Sequence, residues 1–153
     1  MKRHPALEPF SRDHNLGLIL ARKLQRPNPD AVDEFLTAWD LEIASHFVDE
    51  EELLGPIIYE ESLATRLMDE HRLIRNLVAN LPRTAEQVGS KLEAHIRWEE
   101  RSLFPAIESG ASEDDLKELA RRTDEVERQR WATGLMPDRE RLAKARKTSA
   151  ENN

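Results

Sequence analysis

Four of the chain's five histidines recur in one order, and their spacing is that of metal ligands. The pattern His-x-x-x-Glu-Glu-x-x-Leu-x-Pro occurs twice. The first copy runs from His46 through Glu50, Glu51, Leu54 and Pro56, the second from His95 through Glu99, Glu100, Leu103 and Pro105. Each copy follows a lone histidine, His14 or His71, at the start of an apolar helical pattern. Residues four apart on a helix lie on one face about a turn from each other, so each His–Glu pair can reach one metal pair. Any one of these histidines alone reads as a hydrogen-bonded core residue. Two glutamates and four histidines on otherwise apolar seams are different, because an unpaired carboxylate in a helical core is strongly unfavourable without a shared partner.

The chain has no cysteine, so disulfides, thiolate sites, iron–sulfur clusters and cysteine nucleophiles are excluded, and a metal must be held by nitrogen and oxygen. Imidazole with carboxylate suits iron, manganese or zinc, and two carboxylates shared by four imidazoles suggest a dinuclear site. The net charge of -7, with basic residues scattered among acidic ones, argues against a nucleic-acid partner. No apolar run has the length of a signal peptide or a membrane span, so a cytoplasmic protein without a membrane partner is expected. Neither a Ser-His-Asp arrangement nor a phosphate-binding glycine motif is present.

The elements that must position these residues are helices. Glycine and β-branched residues are sparse, no trustworthy period-two pattern occurs, and 153 residues suffice for one core. Punctuation bounds five helical segments. The first runs from Ser11, taken as its N-cap, to the Arg-Pro-Asn-Pro break, and the second from Asp30 to Gly55-Pro56. The third runs from Glu61 to Leu81, and the fourth from Thr84, with Gln87 completing a capping box, to Ser109-Gly110, bent or broken near Pro105. A shorter fifth helix, capped by Ser112 and Asp115, ends near Trp131, and Met136 to Asn153 form a polar tail.

Steps of three and four give the inward seams. The first is Phe10, His14, Gly17, Ala21 and Leu24; the second is Val32, Leu36, Trp39, Ile43, His46, Glu50 and Leu53. The third is Ala64, Leu67, His71, Ile74, Val78 and Leu81; the fourth is Ala85, Val88, Leu92, His95, Glu99, Ser102 and Ala106. Distances to the connecting loops let all six polar groups converge at one height. Glu51 and Glu100 are expected in solvent or in support, His4 outside the site, Trp98 as a shield beside Glu99, and Tyr59 outside the ligand set. Ferritin-like bundles use Glu-x-x-His, and Ile43 and Leu92 occupy the corresponding places, which disfavours that family.

The ordered set His14, His46-x-x-x-Glu50, His71, His95-x-x-x-Glu99 resembles the hemerythrin-like (HHE) cation-binding domain family over about residues 10 to 108. The resemblance implies an all-α, antiparallel up-down-up-down four-helix bundle over 10–110, with 1–9 as an N-terminal segment and 111–153 as an amphipathic helix and charged tail. It implies two non-haem, carboxylate-bridged iron ions: His14 and His46 on one, His71 and His95 on the other, Glu50 and Glu99 between them. Two departures bear on function. Oxygen carriers have a second histidine where this chain has Leu67, and a His-x-x-x-x-Asp where it has His95-x-x-x-Glu99; use of Glu100 would restore the carrier spacing. The resemblance implies a protein that binds or senses dioxygen or a related small oxidant. The alternatives it leaves open are an enzyme acting on peroxide or nitric oxide, or an iron-homeostasis protein that donates iron to a partner.

Overall fold

The computed structural model describes residues 2–26 and 28–132, and every regular element among them is helical. Helix α1 is Glu8–Leu24, α2 Pro29–Ala38, α3 Ala44–Asp49, α4 Glu61–Val78, α5 Ala85–Trp98, α6 Phe104–Gly110 and α7 Glu113–Ala132. No helix among the described residues is long and apolar enough to cross a membrane. The expected tail from Met136 lies outside the described residues.

Three wide π turns join segments that would otherwise be separate helices. Trp39–Ile43 links α2 to α3, Glu50–Leu54 follows α3, and Glu99–Leu103 links α5 to α6. The last two begin on the equivalent glutamates of the repeat, and each is followed, after one intervening residue, by the repeated proline, Pro56 or Pro105. A proline has no N–H to give and its ring collides with the carbonyl four residues earlier, so an α-helix approaching it must widen, bend or stop. Here it widens: the N–H of Gly55 reaches Glu50 O and that of Phe104 reaches Glu99 O. Pro105 therefore lies inside a continuing helix rather than ending one.

The extra residue in each π turn moves the buried face by one position, which corrects two expected seams. Before Trp39–Ile43 the buried side chains are Val32, Phe35 and Ala38, with Leu36 and Trp39 only half-buried; after it come Ile43, His46 and Glu50. Beyond Glu99 the core face is Leu103, Phe104 and Ile107, while Ser102 is exposed and Ala106 half-buried.

Caps differ from expectation as well. Helix α1 starts at Glu8 without a side-chain cap, and the Ser11 hydroxyl donates to Glu100 instead. Asn28 caps α2, accepting from Ala31 N at 2.8 Å, with Pro29 pre-set for the first turn. Thr84 makes no cap; its hydroxyl donates to Leu77 O. Ser112 and Asp115 do exchange the two bonds of a capping box at the head of α7. That helix has 20 residues, more than the 17 of α1 or the 18 of α4, so it is not the shorter element expected.

Two apolar clusters flank the histidines. One gathers Leu20, Leu24, Phe35, Phe47, Val88 and Ile96. The other gathers Leu7, Leu54, Leu67, Leu103, Phe104 and Ile107, onto which α7 folds Leu116 and Leu119. Helix α1 lies chiefly along α5. Gly89 permits that approach, since a Cβ there would stand 2.4 Å from the Ala21 carbonyl oxygen and 2.9 Å from Gln25 Cγ. Gly89→Ala is expected to destabilise the fold by about 1–3 kcal/mol through overpacking, more than the ~1 kcal/mol gained in helix propensity. Chemical denaturation reads this directly, and an unchanged midpoint would show that α1 can slide away at no cost.

Candidate metal centre

The structure brings all six repeat-derived residues to one place between the apolar clusters. Glu50, Glu99 and His71 are fully buried, His95 is 2% exposed, His14 5% and His46 9%. Two four-residue groups result, His14 with His46, Glu50 and Glu99, and His71 with His95, Glu50 and Glu99. Within each, one ligand atom per residue lies within 4.8 Å of all the others. Both glutamates belong to both groups.

Every imidazole presents Nε2 to this centre. His95 Nε2 is 2.6 Å and His71 Nε2 3.7 Å from Glu99 Oε1, and His14 Nε2 is 2.9 Å from Glu99 Oε2. His46 and His71 Nε2 stand 3.3 and 3.4 Å from Glu50 Oε1, and the Nε2 atoms of His71 and His95 are 3.1 Å apart. Close as they are, the carboxylate oxygens of Glu50 and Glu99 and the Nε2 of His46 have no hydrogen-bond partner among the described residues. Donor atoms that converge without hydrogen-bond alignment are aimed at a common centre, and buried carboxylates left so are strongly unfavourable without a cation. The residues therefore fit a pair of metal ions held by two nitrogens and two shared carboxylates each.

The outward Nδ1 atoms explain the remaining acids. His14 Nδ1 pairs with Glu100 at 2.7 Å, His71 with Glu51 at 2.6 Å, His95 with Glu70 at 2.8 Å, and His46 with Asp13 at 3.4 Å. Such a carboxylate fixes ring orientation and raises imidazole basicity. Glu51 and Glu100 thus support the site, as expected, and Glu100 does not replace the fully buried Glu99. Asp13 and Glu70 are not among the residues singled out by the repeat. Their signal was present in the sequence: each immediately precedes a lone histidine, Asp13-His14 and Glu70-His71, and orients the histidine of the following repeat.

Three of the four histidines are clamped twice by a single arginine. Arg3 binds Glu100 at 2.9 Å and lies over Phe104, the ring stacked on His14. Arg75 binds Glu51 at 2.8 Å and lies over Phe47, stacked on His71 at 3.9 Å. Arg66 binds Glu70 at 2.7 Å and lies 4.6 Å over Trp98, which abuts His95. Trp98 shields the site as expected. His46 touches Phe10, yet neither Asp13 nor Phe10 has an arginine partner among the described residues.

Other aromatic and histidine positions lie apart. Tyr59 is 65% exposed and donates to Asp115. His4 contacts the chain near Ala6 and Glu108 rather than the centre, and the Trp131 side chain lies outside the description. A cavity of about 30 Å³ opens onto His14, His46, His95, Glu50 and Glu99 and extends between Gly17, Glu42, Ile43, Leu92 and Ile96. Gly17 keeps it open, because a Cβ there would stand 2.8 Å from Ile96 Cδ1.

The chain is similar to a protein named DNA nickase from Nostoc sp. (strain PCC 7120 / SAG 25.82 / UTEX 2576), with 30% identity over 122 residues, covering 71% of this chain and 35% of that protein. The chain thus spans about a third of the length of the relative it matches. No protein-family model matches it, and no solved structure does.

Electrostatics set how the centre behaves without metal. Burial disfavours protonation of His46, but Glu50 and Asp13 outweigh it and hold the ring up at about 10; burial is likewise outweighed at His95 by Glu99 and Glu70, to about 9. His14 and His71 are raised against the same burial penalty, by Glu100 with Glu50 and Glu99, and by Glu50 and Glu99. Burial and the charge of Glu50 push Glu99 upward, yet the histidines hold it down at about 2; Glu50 is held well below its ordinary value against the burial penalty. Imidazoles raised on folding stabilise fully below 6.5, and that stability is lost as pH rises through about 9 to 10. Depressed carboxylates stabilise above 4.5, and that contribution is lost as pH falls toward about 2. Chelator-stripped protein should therefore melt highest between 4.5 and 6.5, with a midpoint that falls from neutral pH into the alkaline range. Metal-loaded protein should instead lose its advantage on the acid side, because ligands must shed protons to bind. Thermal melts with and without chelator test both, and a stripped protein that gains stability toward alkaline pH would contradict this electrostatic account.

Proposed function

We propose that this chain is a hemerythrin-like four-helix bundle of antiparallel up-down-up-down topology. It holds two non-haem iron ions and binds or senses dioxygen or a related small oxidant. The observation that carries the reading is the pair of fully buried glutamates shared between two groups of histidines, their carboxylate oxygens close to the imidazoles yet in no aligned hydrogen bond. The unbroken His-x-x-x-Glu repeat and its order along the chain support it.

Bound iron would supply one-electron redox chemistry and coordination positions beyond the protein's own ligands. The remaining work belongs to the chain. Nε2 of His14 and His46 would hold one ion and Nε2 of His71 and His95 the other, with Glu50 and Glu99 between them. The Nδ1-bound acids fix the four rings, while Phe47, Phe104 and Trp98 exclude water. The ~30 Å³ cavity opens onto His14, His46 and His95 and onto Glu50 and Glu99 themselves; away from these its walls are mostly apolar, with one further buried carboxyl, Glu42. A cavity of that size accommodates one or two water-sized molecules and so suits dioxygen, peroxide or nitric oxide.

The name of the Nostoc protein raises a second reading, metal-assisted cleavage of a phosphodiester. Two-metal sites can do this when the substrate's oxygens reach both ions. Here both carboxylates are fully buried and the adjoining cavity is too small for a nucleic-acid backbone, on a chain of net charge -7. The small-ligand reading accounts for the geometry better.

Metal content and the visible spectrum, measured on protein prepared with and without air, test the proposal. About two iron ions per chain are expected, with near-ultraviolet bands that change on reduction and return with oxygen. Because the glutamates are shared, Glu50→Ala or Glu99→Ala should lose both ions, whereas His46→Ala or His71→Ala should retain about one. Folded wild-type protein that refuses added ferrous iron would overturn the reading. Turnover of added peroxide or nitric oxide would select the enzymatic alternative, and ready transfer of iron to a mild chelator the donor alternative.

A further inference from the structure

The four histidines are not held equally, and the least secured one stands against a second opening. His14, His71 and His95 each have the arginine clamp described above. His46 has Asp13 at 3.4 Å, the longest of the four Nδ1 contacts, and no arginine holds that aspartate among the described residues. Asp13 and His46 also line two cavities at once. One is the small-ligand cavity; the other, about 30 Å³, lies between α1, α3 and α7, with Asp49, Leu53, Val126 and Glu127 in its walls. The Asp13–His46 pair is therefore the partition between the candidate metal centre and a gap beneath α7.

The chemistry of that gap suits a divalent cation in transit. Asp13 and Glu127 bring carboxylates to its wall, and beyond them lies an imidazole nine-tenths buried whose Nε2, turned to the centre, is without a hydrogen-bond partner. Arg12 pairs with Glu127 at 3.7 Å, both side chains about half exposed. An exposed pair of this kind is weak and opens readily. It bears on the gap as a latch whose arginine also repels an arriving cation.

We propose that divalent cations reach and leave the dinuclear centre through this gap, passing Glu127 and Asp13 to His46. The His14–His46 position then fills last and empties first. Asp13 acts as a positioning residue: it holds the His46 ring in its ligating orientation, and the absence of an arginine clamp lets that ring turn aside. This inference rests on the dinuclear reading, and the experiment separates the two.

Chelator-stripped full-length protein is mixed with cobalt(II), whose visible absorption reports occupancy without any turnover, and uptake is followed by stopped flow; release is then followed with excess chelator. Wild-type protein should take up cobalt in two phases, and the slower-filling equivalent should be the first released. Arg12→Ala, which touches only the exposed pair, should speed uptake. Asp13→Asn should slow the second phase and weaken that equivalent by roughly tenfold or more, the range seen when such orienting groups are lost. Glu70→Gln, which disturbs the opposite half, should weaken the first equivalent without slowing the second phase. Two bound equivalents with wild-type rates in both Arg12→Ala and Asp13→Asn would overturn the route and leave the dinuclear reading standing. Wild-type protein that takes up no cobalt would overturn both. Should Asp13→Asn fail to fold, Arg12→Ala and Glu127→Gln, both at an exposed pair, decide the route alone.

Discussion

The structure depends on two carboxylates buried where carboxylates do not belong. Glu50 and Glu99 are wholly removed from solvent, and an ion so placed costs roughly several kcal/mol even after relaxation. Four imidazoles surround them, and the mutual perturbation is the physical signature of the arrangement: rings pushed toward protonation, carboxylates pushed toward ionisation. Protons and metal ions compete for the same atoms, so a centre that tolerates proton occupancy can fold before it is loaded. The outer ring of acids sharpens this. Each imidazole gains a carboxylate at Nδ1, and three of those carboxylates gain an arginine that also covers an aromatic neighbour of the same histidine. Charge thus alternates outward from the centre, and it ends at the surface in side chains that water can solvate.

The π turns are the backbone's part of the same solution. In a regular α-helix, successive glutamates point about 100° apart, and the pair in each repeat has two tasks on different sides of one rod. Glu50 must reach the centre while Glu51 reaches His71; Glu99 must reach the centre while Glu100 reaches His14. A widened turn that starts on the first glutamate of each pair sits where those directions diverge. Wide turns of this kind are frequent at functional sites. The proline that follows each one removes an N–H that a regular helix would have used, so the widening costs less there than elsewhere.

This is also where reading from sequence succeeds and fails. Period and punctuation suffice for the helical class and the rough extents, and the residues chosen by repeat spacing do meet at one place, because a step of four keeps one face whatever the neighbours do. The seam slips beside π turns, at Leu36 and Trp39 on the near side of one and at Ser102 and Ala106 beyond the start of another, since one extra residue changes the register across the turn. The repeated Pro at the end of each motif was the available sign of the widening, and it reads equally well as a helix end. Ser11 and Thr84 look like caps by residue type, yet the Thr84 hydroxyl turns back to Leu77 O at the end of α4, and that of Ser11 is taken by Glu100 across the fold. No local pattern can announce a partner that is distant in sequence.

The duplication goes deeper than the motif first suggests, and one departure from it falls at His46. Counting the acid before each lone histidine, both halves of the chain read acid-His, then His-x-x-x-Glu-Glu, and each half orients its repeat histidine with its own acid while lending its second glutamate to the lone histidine of the other. Each half is therefore incomplete alone, and the two sets of rings are fixed only when the helices come together. Within that near-symmetry Asp13 differs from Glu70 in three respects: it is one methylene shorter, it lies further from its imidazole, and it has no arginine partner among the described residues. A site built from two equivalent halves would bind two ions alike. On the dinuclear reading proposed above, a shorter acid without that clamp would make one ion position softer than the other, on the side where the gap beneath α7 meets His46.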